Sequence, residues 1–314
     1  MAKLAFLFPG QGSQEVGMGS AFYEQFDDVK ALFQRADDVL GYGLSDLMLN
    51  GPDETLTKTE NAQPALLLNS VAILDHIKRA GIEPDMVAGH SLGEYSALYA
   101  AGALSFDDAI QAVHKRGKLM EEAVPSGQGT MAAVLGLDDE TIHNITENVT
   151  KSGETVNVAN YNCPGQTVIS GTVDGVNQAI EQLKEAGAKR ALPLNVSGPF
   201  HSDLMKPASE QFQSVLDGVN IQSAHIPVYA NVTAEPIQDE DEIRERLIEQ
   251  LYSPVKFKQT LENMVEQDVD AFVEIGHGKV LAGLVKKVHR RAKIYNIQDV
   301  EQLNAFIEDM KEES

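Results

Sequence analysis

The pentapeptide Gly89-His90-Ser91-Leu92-Gly93 constrains this chain more than any other feature. It lies between a short apolar run, Met86 to Ala88, and a helical stretch that reaches about Ala101. A strand that becomes a helix within five residues needs a sharp, strained turn, in which a side chain at either flank collides with neighbouring backbone. The two glycines remove that obstacle and lift the Ser91 hydroxyl above a sheet edge. A plain glycine-rich turn fits the same three fixed positions in a chain with 25 glycines; the strand–turn–helix setting favours a nucleophile. The surroundings repeat α/β punctuation. Leu4 to Phe8 is a continuous apolar run closed by Pro9-Gly10, which suits a strand buried on both faces. A helix is expected from about Ala62 to Lys78, with Pro64 near its first turn and Gly81 just past its end.

The middle of the chain has a different rhythm. After Pro125-Ser126-Gly127-Gln128-Gly129 the pattern predicts strand Met131–Leu135, helix Asp138–Lys151, strands Val156–Asn160 and Thr167–Ser170, helix Val173–Ala186 and strand Ala191–Leu194. That order is the order of a ferredoxin-like unit. The larger α/β pattern then resumes with helix Asp203–Leu216, strand Pro227–Asn231, helix Glu240–Leu251, strand Ala271–Glu274, a helix from Lys279, strand Ile294–Asn296 and a helix from Val300. The expected organisation is a small domain, 127–196, inserted in a larger one built from 1–126 and 197–314.

Composition removes whole classes of function. With 43% hydrophobic and 23% charged residues the 314-residue chain can bury a core. Its 25 Lys and Arg against 47 Asp and Glu leave a net charge of −22, which argues against nucleic acid or an anionic membrane as partner. One cysteine, Cys163, leaves no internal disulfide framework or multi-cysteine metal site. The apolar run near Met1 is too short for an export signal and none approaches a membrane span, so a soluble, cytoplasmic chain is expected. No metal-binding motif is present, and two nucleotide signatures fail. Gly10-Gln11-Gly12 has Glu15 where a dinucleotide loop needs a third small residue. Gly278-Lys279 is followed by Val280 rather than Ser or Thr, with Val273 at the first glycine position.

Acyl chemistry at Ser91 requires an oxyanion donor and a base. Leu92 opens a helix, so its backbone N–H is free to stabilise an oxyanion. Gln11, in the glycine-rich loop after the first strand, is the natural second donor; the same loop also suits a turn that merely redirects the chain. Of eight histidines, His90 lies inside the turn and points to packing or orienting. His76, His114, His143, His225 and His289 fall in helical or polar surface contexts. His201 follows a rigid Ser197-Gly198-Pro199-Phe200 loop, which fits either a base or a structural turn histidine. Arg116 shares a helical face with Ile110, Val113, Gly117 and Met120. On that face it either snorkels to water or presents a buried fork to a carboxylate or phosphate.

In order along the chain stand Phe8-Pro9-Gly10-Gln11-Gly12-Ser13-Gln14, Gly89-His90-Ser91-Leu92-Gly93-Glu94, Arg116, Asn160-Tyr161-Asn162-Cys163-Pro164-Gly165-Gln166, Gly198-Pro199-Phe200-His201 and Glu274-Ile275-Gly276 through Leu281. Together these resemble the bacterial malonyl-CoA:acyl carrier protein transacylases over nearly the whole chain, and are similar to acyltransferase domains of polyketide synthases. The resemblance implies an α/β-hydrolase-like large domain carrying the ferredoxin-like insertion. It implies Ser91 as nucleophile, His201 as base, the amides of Gln11 and Leu92 as oxyanion hole, and Arg116 as holder of the malonyl carboxylate. It further implies that the Gln250 carbonyl orients the histidine, that Phe200 crowds out a 2-methyl group, and that Asn160 and Asn162 line the cleft. The one departure is His277, where the family carries proline. The implied activity is malonyl transfer from malonyl-CoA to acyl carrier protein for fatty-acid synthesis, with CoA released, no cofactor, and no need for more than a monomer. A serine esterase or thioesterase is the alternative. Lys286, Lys287, Arg290, Arg291 and Lys293, or Lys189 and Arg190, are either solvated charge or a local patch for an acidic carrier.

Overall fold

A computed structural model describes residues 1–314 as a mixed α/β protein with two sheets. The strands are β1 (Leu4–Phe8), β2 (Met86–Gly89), β3 (Gly129–Leu135), β4 (Val156–Cys163), β5 (Gln166–Thr172), β6 (Arg190–Pro193), β7 (Val228–Tyr229), β8 (Pro236–Ile237), β9 (Val255–Lys256), β10 (Ala271–Ile275) and β11 (Lys293–Ile297). The larger sheet runs β11-β10-β1-β2-β7-β8 and is parallel except for β8, which pairs antiparallel with β7. All five residues of β1 are buried, as its unbroken apolar run requires. The smaller sheet runs β6-β3-β5-β4-β9. Its first four strands pair antiparallel, and β9 joins β4 in parallel.

Two features depart from the sequence expectation. Strand β4 does not stop at Asn160 but continues to Cys163, with register shifts between Val158 and Asn160 and between Tyr161 and Cys163. The shifts re-aim side chains along one strand. The fifth strand of the small sheet, β9, comes from chain beyond residue 196 and pairs Asn160 with Val255. At two residues it is too short to show a period. Four helices between Ser20 and Thr57 also went unread. No helix is long and apolar enough to cross a membrane.

The helix Thr59–Arg79 is the central strut, buried along most of its length. It starts three residues before the expected Ala62, so Pro64 sits inside it. Proline cannot donate to the carbonyl four residues back, and that carbonyl, of Glu60, is 2.8 Å from His114 Nδ1. His114 is therefore a helix-bridging residue rather than a solvated one. His114 belongs to the helix Phe106–Glu122, which crosses the strut at Gly117. A Cβ there would lie 2.6 Å from the Thr59 carbonyl oxygen and 2.8 Å from Glu60 Cα. This close crossing carries the neighbouring Arg116 inward.

Close approach is tightest at the turn after β2. An added Cβ at Gly89 would sit 1.9 Å from the carbonyl of Gly93, and one at Gly93 would sit 2.1 Å from the Phe8 carbonyl oxygen. The obstacles are backbone, which cannot rotate away. Gly93→Ala is expected to destabilise the protein by about 1–3 kcal/mol. Urea unfolding of the two proteins measures this, and an unchanged midpoint contradicts it.

Candidate active site

Ser91 stands at the tip of this turn with a left-handed backbone, φ +52°. A non-glycine residue in that region is strained, and such strain collects at functional sites. The turn is held from two sides. His90 N donates to the Phe8 carbonyl at 3.1 Å, and Ser91 N donates to Asn231 Oδ1 at 2.8 Å. Asn231 lies just after β7 and also donates through Nδ2 to the Gly89 carbonyl at 2.7 Å. The loop after β1 presses on the same turn, since a Cβ on Gly10 would lie 2.2 Å from the His90 carbonyl oxygen. Neither Leu92 N–H nor Gln11 N–H meets an acceptor in the protein. Both remain available to an oxyanion at Ser91.

His201 also adopts a left-handed backbone, φ +57°, and is 3% exposed. Its Nδ1 is 2.8 Å from the Gln250 carbonyl oxygen, and its Nε2 is 2.8 Å from Ser91 Oγ. A carbonyl can only accept, so Nδ1 carries the proton and Nε2 is left to accept from the serine hydroxyl. No carboxylate is needed to fix the tautomer. Burial, and then the Arg116 charge, push His201 down from 6.5 to about 3.

Arg116 settles the question its helical face raised: it is 1% exposed and does not snorkel. Nη1 donates to Gln63 Oε1 at 2.8 Å, and Nη2 donates to Gln250 Oε1 at 2.9 Å and to Ser91 Oγ at 3.1 Å. Its guanidinium carbon lies 5.4 Å from the centre of the Tyr95 ring, on the arginine-accepting face of an aromatic. Nε is buried and has no partner. All protein acceptors on the guanidinium are neutral, and burial lowers its proton affinity. A cation so placed favours an anion arriving beside Ser91.

A cleft of about 440 Å³ opens above these groups. Gln11, His90, Ser91, Asn160, Phe200 and His201 all line it. The Asn160 Oδ1 is buried without a partner. Asn162 is different. It does not line the cleft, and its Oδ1 lies 2.8 Å from His90 Nε2 instead. The register shift between Tyr161 and Cys163 lies over this residue. Asn162 therefore orients His90, which in turn packs on Phe257 with ring centres 5.2 Å apart. No group of three or more His, Cys, Asp or Glu side chains is arranged to hold a metal ion.

Sequence reasoning missed Gln63 and Asn231, quoted Glu94 only as the last residue of the motif at the turn, and saw only the backbone of Gln250. The Gln250 side-chain amide donates to the Ser91 carbonyl at 3.1 Å, to Asn231 Oδ1 at 3.1 Å and to Glu94 Oε2 at 2.5 Å. Gln63 was findable. It is a polar residue, fully buried, within an otherwise apolar helical run.

The chain matches the family model for the acyl transferase domain over residues 5–312. It is 55% identical to the malonyl CoA-acyl carrier protein transacylase of Bacillus subtilis, over 100% of this chain and 99% of that protein. An acyl carrier protein S-malonyltransferase from Vibrio cholerae shares 46% identity and a TM-score of 0.94, over 97% of this chain and 100% of that one. A malonyl-transacylase solved in complex with its type II polyketide synthase acyl-carrier protein shares 44% identity and a TM-score of 0.95, over 98% of this chain and 100% of that one.

Because His201 stays neutral well below the usual histidine range, Ser91 should remain nucleophilic in mild acid. Labelling by an uncharged fluorophosphonate is expected to proceed at a constant rate from about pH 8 down to about pH 5. A titration near 6.5 in that rate contradicts the burial argument.

Proposed function

The chain belongs to the acyl transferase family, and we propose that it transfers a malonyl group from malonyl-CoA to the phosphopantetheine thiol of an acyl carrier protein, through an ester at Ser91. The observation that carries this reading is the buried Arg116 guanidinium donating to the nucleophile's own oxygen at 3.1 Å. An esterase for neutral acyl groups has no use for a buried cation there, whereas a three-carbon diacid brings its own counter-charge.

The reaction proceeds in two matched halves. His201 Nε2 takes the Ser91 proton as Oγ attacks the thioester carbonyl of malonyl-CoA. The amides of Gln11 and Leu92 hold the tetrahedral oxyanion. On collapse the carbon–sulfur bond breaks, and the departing CoA sulfur receives the proton from His201. The pantetheine thiol then gives its proton to His201 and attacks the ester. Ser91 Oγ leaves with that proton, and the malonyl thioester of the carrier departs. Arg116 pairs with the distal carboxylate, through which it selects a diacid and holds the ester in register. Phe200 narrows the space beside the 2-carbon and Asn160 offers its free Oδ1 to the pantetheine arm. No cofactor takes part.

The wider reading follows from the same features. The β6-β3-β5-β4 order across Gly129–Pro193 supports a ferredoxin-like small domain, 127–196, set in an α/β-hydrolase-like large domain of 1–126 and 197–314. The activity supplies fatty-acid synthesis in the cytoplasm, and the chain works as a monomer.

Arg116→Ala is expected to lower kcat/KM for malonyl-CoA about 10²–10³-fold, the effect of removing one partner of a buried charge pair. Acetyl-CoA should change far less. Intact-mass analysis after mixing with each thioester, with and without carrier protein, reads both effects. Equal losses contradict the carboxylate pairing, and release of free malonate without a thiol acceptor identifies a hydrolase instead.

A further inference from the structure

The transfer chemistry leaves one buried acid without a task. Glu94 follows the turn glycine Gly93, is 1% exposed, and does not reach the cleft. Its Oε1 accepts from Asn231 N at 3.2 Å and its Oε2 accepts from Gln250 Nε2 at 2.5 Å. The same Gln250 amide accepts from Arg116 Nη2 through Oε1. One planar amide therefore joins a buried acid to the buried cation.

Building on the malonyl reading, we propose that Glu94 is a positioning residue whose charge governs Arg116 through the Gln250 amide. Neutral, it leaves the guanidinium charge to the substrate carboxylate; ionised, it already balances that charge across the Gln250 amide. The argument is a charge count in a dry site. Arg116 with one carboxylate is balanced, whereas Arg116 with two leaves a buried net negative charge, which is costly. Malonyl binding and an ionised Glu94 therefore oppose each other, and binding on the alkaline side requires Glu94 to take a proton from solvent. The charged or titratable groups around Glu94 are Arg116, from the helix Phe106–Glu122, and Tyr95 on its own helix. The other contacts, Asn231 and Gln250, are uncharged. Burial keeps the Tyr95 phenol neutral by pushing it up. Burial also pushes Glu94 up to about 8, partly opposed by the Asn231 amide and Arg116. Its titration thus falls in an accessible range. His201, held near 3, contributes nothing there.

The test is the ratio of kcat/KM for malonyl-CoA to that for acetyl-CoA between pH 6 and 9.5, in the native protein and in Glu94→Gln. Acetyl has no distal carboxylate, so a merely structural role moves both substrates and leaves the ratio constant. In the native protein the ratio is expected to fall about tenfold per pH unit above about 8, the signature of one proton. In Glu94→Gln it is expected to stay level. A level native ratio overturns the proposal, and so does a Glu94→Gln ratio that falls as the native one does. If Glu94→Gln does not fold, the native ratio alone decides. Malonyl ester formation that ignores pH overturns only the role of Glu94. Failure to form the ester at any pH overturns the functional reading together with it.

Discussion

A guanidinium with almost no exposure, donating to the hydroxyl of Ser91, is the constraint from which the rest of the site follows. Burying such a charge costs several kcal/mol unless its donors are satisfied. Three acceptors meet that demand: Gln63 on the central helix, Gln250 at the end of another, and the hydroxyl of Ser91. Each is neutral, so both terminal nitrogens are hydrogen-bonded, Nε is left without a partner, and the charge is not cancelled by direct contact. The close crossing at Gly117 makes this placement possible by bringing the helix of Arg116 against the helix of Gln63. The position of the buried cation is thus built into helix packing rather than into a surface loop.

The Ser91–His201 pair depends on the same economy of parts. Ser91 and His201 both sit in left-handed conformations, so their side chains are aimed by backbone geometry as well as by hydrogen bonds. Gln250 serves both ends: its carbonyl fixes the histidine, and its amide braces the turn from behind while touching the arginine. Ser91, His201 and Arg116 are therefore linked through one residue. The strand β9 follows Gln250 closely and pairs with the bulged end of β4, tying the small sheet to this hub.

Much of this was legible in the residues. The turn glycines pointed to the Ser91 elbow because no side chain fits there, and the unbroken apolar run of β1 pointed to a strand buried on both faces. The alternation from Gly129 to Pro193 revealed the second sheet. Periodicity placed Arg116 on an apolar face but left its destination open, since burial and snorkelling share one pattern. His201 was equally ambiguous until the motifs were taken together. What stayed hidden was what depends on side chains meeting across distant segments. Asn162 was expected in the cleft, but a one-residue shift in β4 turns it to His90. The contacts of Glu94 and Asn231 leave no local pattern, because their partners lie 156 and 140 residues away along the chain. The short helices before Thr57 went unread, and β8 and β9, at two residues each, are too short to show a period.

The central claim is that the carboxylate of a serine-bound malonyl group is gripped by Arg116. A crystal structure of the protein trapped after mixing with malonyl-CoA, without carrier protein, tests it most directly. The account predicts continuous density from Ser91 Oγ through three carbons, ending in a carboxylate within hydrogen-bond distance of the guanidinium. An ester whose carboxylate turns away into solvent, or a serine left unmodified while the thioester is consumed, contradicts it.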